Sequence, residues 1–235
     1  VQAEYAPILV FSLIILIVFI LFWAYLFERK NDSLRKERAL LKGWNYEKSS
    51  SSAQGFKVSG TNGSYMWELE QRKGGDRNGS LIFTSKSLTL PVGVFYFSDK
   101  RETDLLLKPF MKYILKLGEQ NISKDNDKNS SKAEIFSYIR EAKSLDIPSG
   151  NSRWKYGALA TSIDFGYKVL SSGFQAEIDS LSLINISSLP PSVILCPDRL
   201  EIKWKTGKAD AEKMELIIES SLRLMNVLDR AIRNS

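Results

Sequence analysis

The chain has 235 residues, 33 Lys and Arg against 27 Asp and Glu, a formal charge of +6, one cysteine and no histidine. Without histidine there is no Ser-His-Asp or Cys-His catalysis, no imidazole base and no imidazole metal ligand. A lone Cys196 excludes an intramolecular disulfide, a thiolate zinc site and an iron–sulfur cluster.

The first element is the stretch Ile8 to Phe27, uncharged and with Ser12 as its one polar interruption before the aromatic end. As a helix of about 30 Å it matches the hydrocarbon thickness of a bilayer and predicts a transmembrane helix. Val1 to Ala6 carry no basic residue, so a cleaved signal peptide fits poorly. Gly-x-x-x-Gly is missing from the stretch, which argues against self-dimerisation through small residues. The rings Phe11, Phe19, Phe22, Trp23 and Phe27 are candidate contacts for an integral membrane partner.

A basic collar follows. Arg29, Lys30, Arg35, Lys36, Arg38 and Lys42 stand against Glu28, Asp32 and Glu37, whereas Glu4 is the one charge before the span. Basic residues flanking a span stay on the cytoplasmic side, which places the N-terminus outside and the larger part inside. Arg29, Lys30, Arg35, Lys36 and Arg38 are the expected contacts with an anionic membrane surface, in preference to nucleic acid. A bacterial inner membrane is the expected location, with a mitochondrial inner membrane as the alternative. The Asn-x-Ser sequons, six in number, are discounted in so serine-rich a chain. Residues 28–42 read as a helix leaving the membrane, a solvated stalk with few apolar residues.

Residues 44–97 read as an antiparallel meander. Trp44 to Glu47 is a short strand, and Ser49 to Ser52 a flexible connection. Phe56 to Ser59 and Tyr65 to Glu70 flank an Asn62-Gly63 turn, a hairpin signature. A glycine-rich loop from Lys73 to Gly79 leads to Leu81–Thr84, and Val92 to Phe97, apolar on both faces, reads as a central strand. That loop lacks the Lys-Ser/Thr of a phosphate-binding loop and precedes a strand instead of a helix.

Residues 102–118 read as a helix divided or kinked at Pro109, with Leu105, Leu106, Pro109, Phe110, Tyr113, Ile114 and Leu117 on one stripe at helical spacing. The polar segment 119–131 reads as an exposed loop. Residues 132–145 read as a short helix and Trp154 to Ala160 as a strand. Residues 163–183 form two helices broken at Gly173. Strands Val193–Cys196 and Leu200–Trp204 surround a turn at Pro197-Asp198, and Ala209 to Arg233 is a long helix. Its buried stripe is Met214, Ile217, Ile218, Leu222, Met225, Leu228 and Ile232.

The expected architecture is a single transmembrane helix plus a soluble α+β domain, with helices packed on one face of antiparallel sheet and a long C-terminal helix. The expected units are residues 1–27 (tail and span), 28–43 (basic helix) and 44–235 (cytoplasmic domain), the last divisible into 44–118 and 132–235. Asp125 and Asp127 read as solvating, Asp198 as a turn residue, and Asp164, Glu177 and Asp179 as unpaired carboxylates near a cleft. Cys196 reads as a small core residue, and Trp44, Trp67, Trp154 and Trp204 as sheet packing. No cofactor or metal is expected.

This pattern favours a non-catalytic accessory, assembly or scaffold subunit of a membrane complex, acting through protein binding. The alternatives are a membrane-anchored enzyme using carboxylate or Lys/Ser chemistry, and a module binding anionic lipid or a small ligand.

Overall fold

The computed structural model describes residues 6–48, 54–72, 79–122, 130–147, 154–184, 186–206 and 209–234. The Ser49–Ser52 connection, the loop over 73–78, and Asp125 and Asp127 in the polar segment lie outside the described residues.

Among the described residues nine strands form one antiparallel sheet in the order β1-β2-β3-β4-β9-β8-β5-β7-β6. The strands are β1 Asn45–Lys48, β2 Gln54–Asn62, β3 Tyr65–Arg72, β4 Ser80–Ser85, β5 Phe95–Asp99, β6 Lys143–Leu145, β7 Tyr156–Ala160, β8 Ser192–Cys196 and β9 Arg199–Lys205. The expected α+β class and antiparallel pairing are present. Sequence order cannot show that β5 lies between β8 and β7, so that the two expected halves share one continuous sheet.

Register explains the core. Tyr46, Val58, Leu69, Phe83, Ile202, Val193, Phe97, Ala158 and Leu145 are successive cross-strand partners, one from each strand. Side chains alternate between the faces of a strand, so a one-residue slip anywhere would turn that strand's apolar set outward. The Asn62–Tyr65 pair closes the β2–β3 hairpin, and Gly63 takes the positive φ of 58° that the tight turn requires.

Helix α7 (Ala211–Arg233) covers this apolar face. Asp210 caps it, accepting a hydrogen bond from the Lys213 amide at 2.8 Å. Met214, Ile217, Ile218, Leu224, Met225 and Leu228 are fully buried under it. Leu222 and Ile232 of the expected stripe are half-buried at its margin. The Trp204 indole N–H donates to Ser221 Oγ at 3.0 Å, which satisfies the polar atom of the largest buried side chain. Helices α5 (Ile163–Val169) and α6 (Gln175–Leu183) lie alongside, separated by a wide turn over Leu170–Phe174. Gly173, with φ of 98°, makes the break there.

The expectation that helices pack on one face is corrected. Helices α2 (Lys100–Leu106), α3 (Pro109–Ile122) and α4 (Ser130–Glu141) form a second layer on the opposite face. Leu115, Ile135, Ile139 and Ala142 pack there with Tyr96, Leu159 and Cys196. Tyr96 points opposite to its neighbours Phe95 and Phe97, so β5 is apolar on both sides, as its sequence suggests. Pro109 starts α3, where its missing N–H costs no helical hydrogen bond.

The transmembrane expectation is also corrected. Ile8–Phe27 lies in the N-terminal part of α1 (Ala6–Leu41), but among the described residues no helix is long and apolar enough to cross a membrane. That corrects the transmembrane, single-pass reading, to which the expected orientation is tied. What stands is an apolar shaft continuous with a helix that enters the fold.

Ile218 sits fully buried between α7 and the sheet. Ile218→Asp is expected to destabilise the fold by about 4 kcal/mol or more, since the new carboxylate would be buried with no partner. Chemical denaturation checks this, and a midpoint unchanged from wild type would mean α7 does not close the core.

Candidate functional site

The most developed polar arrangement in the molecule joins α1 to the sheet edge. Arg35 is 2% exposed although it sits in a highly charged helical segment. Its Nε donates to the Ala209 carbonyl at 2.8 Å, its Nη1 to Glu28 Oε1 at 3.2 Å, and its guanidinium lies 4.9 Å from the centre of the Phe56 ring. A planar guanidinium suits this site because it can stack and donate in several directions at once. Ala39, one turn on, is fully buried, and its carbonyl accepts the Trp44 amide at 2.8 Å as the chain turns into β1.

Two groups of polar contacts flank that guanidinium. Tyr46, stacked on Phe56, donates its hydroxyl to Asp32, and Lys48 donates to Asp32 at 3.0 Å. Burial alone would raise Asp32, but the hydrogen bonds from Tyr46 and Lys48 outweigh it and hold the carboxyl below its usual range. Burial and the neighbouring carboxylate together push the Tyr46 hydroxyl well up, so it remains a donor. On the other side Arg38 reaches Glu215 at 2.7 Å, and Lys42 reaches Glu215 at 2.6 Å and Glu219 at 2.7 Å. The Lys42 hydrogen bond keeps Glu215 below the ordinary carboxylate value.

The five expected lipid contacts therefore separate. Arg29, Lys30 and Lys36 are exposed, Arg35 is buried in the joint, and Arg38 is exposed but paired with Glu215. The expected solvated stalk over 28–42 is in fact half a stalk and half a core element. Beyond it, Phe11, Phe19, Phe22, Trp23 and Phe27 are exposed, with Phe19 and Trp23 stacked at 6.2 Å. The described apolar residues from Phe11 to Leu26 are exposed whichever way they point around the helix. A helix apolar on all sides requires apolar surroundings.

A second polar cluster lies where β5, β8 and β9 meet α2. Lys205 donates to Glu102 Oε2 at 2.7 Å, the Ser98 hydroxyl donates to the same oxygen at 2.8 Å, and Ser98 and Ser192 share a hydrogen bond of 2.7 Å. Burial would raise Glu102, but the hydrogen bonds from Lys205 and Ser98 prevail and leave it lowered, an anion at neutral pH. Sequence reasoning missed this cluster because its members come from four separate elements. Its chemistry is limited by access: Ser98 is fully buried and Ser192 nearly so, and the ammonium and the hydroxyl both spend a proton on one carboxylate. That pattern secures strand ends and offers no free nucleophile–base pair.

The remaining sequence candidates are occupied structurally. Cys196 is buried and donates to Asp198 Oδ1 at 2.8 Å, and burial with the Asp198 charge pushes its thiol up to about 12, far from thiolate reactivity. Asp179 accepts the Tyr156 hydroxyl at 2.8 Å, Glu177 accepts Arg223 at 2.6 Å, and the exposed Asp164 lies in the first turn of α5. Trp67 packs between Trp44 and Phe83, with ring centres 5.5 and 5.6 Å away. Among the described residues no group of His, Cys, Asp or Glu has the arrangement of a metal site.

No family model matches the sequence, and no curated protein matches it significantly. Among solved structures, the chain is similar to the crystal structure of the mycobacterial trehalose monomycolate transport factor A, TtfA. The TM-score is 0.47 and the identity 8%, over 87% of this chain and 96% of that one. A likeness that distant transfers neither a fold family nor a function.

Arg35→Leu is expected to cost about 2–3 kcal/mol, because the Ala209 carbonyl and Glu28 lose a charged donor at a closed joint. Arg35→Lys should not restore it, since an ammonium cannot stack on Phe56 while donating on both sides. Urea unfolding of the two variants tests this, and wild-type stability in either contradicts it. Acid should weaken the same joint. Asp32 and Glu215 have lowered folded values against ordinary values of 3.8 and 4.5, so their stabilisation is complete above those values and is lost as the pH falls through the folded ones. Asp32→Asn should flatten part of the decline in melting temperature between about pH 5 and pH 2. An unaltered profile would show that Asp32 carries none of it.

Proposed function

We propose that this chain is a non-catalytic accessory protein, held at a membrane by the apolar shaft of α1, that presents its α+β unit to a protein partner. The observation that carries the proposal is the combination found in α1. One end is exposed apolar surface on every side, and the other end is locked into the fold through Arg35, Ala39 and the ion pairs to α7. Such a helix serves as a rigid connector between an apolar phase and a folded unit, because bending at the joint would strip a buried guanidinium of its partners.

Arg29, Lys30 and Lys36, exposed at the base of the shaft, suit contact with anionic headgroups. The stacked rings of Phe19 and Trp23, with Phe11, Phe22 and Phe27, give an aromatic surface for an integral protein beside it. The enzyme reading gains nothing from the Ser98 cluster, whose hydroxyls are closed off and committed.

Flotation of the full chain with vesicles of phosphatidylcholine alone, which offer no anionic headgroup, tests the proposal. Wild type is expected in the floating fraction, and a Phe19→Asp, Phe22→Asp, Trp23→Asp variant is expected to remain at the bottom. Equal flotation of the two proteins, or none of either, would refute the role of the shaft.

A further inference from the structure

Helix α3 turns its large apolar side away from the fold. Phe110, Tyr113, Ile114 and Leu117 recur at helical spacing on one side of the helix, and all four are exposed, Phe110 by 69%. The inward side of the helix is carried by Leu115, buried among Tyr96, Leu159 and the residues of α4. Gly118 belongs to the same side, where a Cβ would stand 3.5 Å from the Phe136 ring. The small inner side lets α3 pack closely on α4 and leaves the large apolar side outward. Leu105 at the end of α2, 45% exposed, extends the same apolar surface.

The charges around this surface are unbalanced. Lys108, Lys112 and Lys116 recur every four residues beside the stripe, and none of their side chains pairs with a carboxylate among the described residues. Two of the local acids are turned to other partners: Glu102 is taken by Lys205, and Glu119 by Arg140 of α4. Apolar and aromatic side chains beside a lysine row, along a helix of about 21 Å, match the chemistry of a lipid interface. There the rings enter the headgroup boundary while the lysine stems reach anionic phosphate. A second copy of the chain docked through the same face would oppose one lysine row with another, with Asp104 as the one exposed acid beside Leu105.

We propose that α3, with the end of α2, is a second and independent membrane contact that docks on an anionic lipid surface through Phe110, Tyr113, Ile114 and Leu117, with Lys108, Lys112 and Lys116 on the phosphates. The site extends the reading of the shaft to a lipid class, and it can fail without it. Two labelled full-length proteins keep the outcomes apart, each carrying a polarity-sensitive fluorophore on a single new cysteine, Phe19→Cys in the shaft or Ile114→Cys on α3. Cys196 is buried and stays unlabelled.

Vesicles of phosphatidylcholine alone, and of phosphatidylcholine with 3 parts in 10 of phosphatidylglycerol, are compared on the order of physiological salt. The expected result is a blue shift at position 114 with the anionic vesicles and little with the neutral ones. It should be lost on adding Lys112→Glu and Lys116→Glu and weakened by high salt. A shifted label at position 19 with a water-like label at 114 on anionic vesicles overturns the α3 contact and leaves the shaft intact. A water-like label at both positions overturns both. A blue shift at 114 that grows with protein concentration without vesicles also overturns it, and shows a protein–protein face instead.

Discussion

Arg35 is the point on which the two parts of this molecule meet. Its guanidinium is closed in by the Phe56 ring, the Ala209 carbonyl and Glu28, so β2, the entry to α7 and the middle of α1 are tied to one group. A charge withdrawn from water is tolerated when its hydrogen bonds are met, and it becomes costly when one partner leaves. That asymmetry gives the joint its stiffness. It also gives the ion pairs of Arg38 and Lys42 with α7, which are surface pairs of modest individual worth, a fixed geometry in which to act together.

From this joint the rest of the architecture can be traced. The transverse row from Tyr46 to Leu145 gives every strand one residue on the face that α7, α5 and α6 cover, which makes a single core out of strands drawn from both ends of the chain. The opposite face is covered where β5, β7 and β8 lie and is polar over the outer strands, where Lys57 pairs with Glu68 at 2.8 Å. The second helical layer is thus small and lies toward one side. A small layer built on Leu115 and α4 has no room for the large side of α3, which explains why Phe110 and its neighbours face outward.

Much of the fold could be read from local pattern. Alternation in Leu200–Trp204, the Asn62-Gly63 turn, the break at Gly173 and the 3.6-residue repeat of α7 each follow from the chain's immediate geometry. The functional parts were less legible because each depends on distant partners. Arg35 resembles its neighbours Arg29, Lys30 and Lys36 in sequence, and its burial depends on a carbonyl 174 residues away. The stripe of α3 is visible as a period, but a period does not say whether the stripe meets a core or a solvent boundary. The Ser98 cluster has no linear signature at all. The apolar start of α1 was legible as apolar and helical, whereas among the described residues no helix is long and apolar enough to cross a membrane.

On a membrane the apolar shaft and the sheet domain are expected to move as one body. Pulsed electron paramagnetic resonance between spin labels introduced by Phe19→Cys on the shaft and Arg230→Cys on the exposed side of α7 measures this directly in vesicle-bound protein. A single narrow distance distribution is expected, and it should broaden when Arg35→Leu is added. A broad distribution in the otherwise unaltered protein would show that the shaft is a flexible tether, and that the buried guanidinium does not couple the two parts.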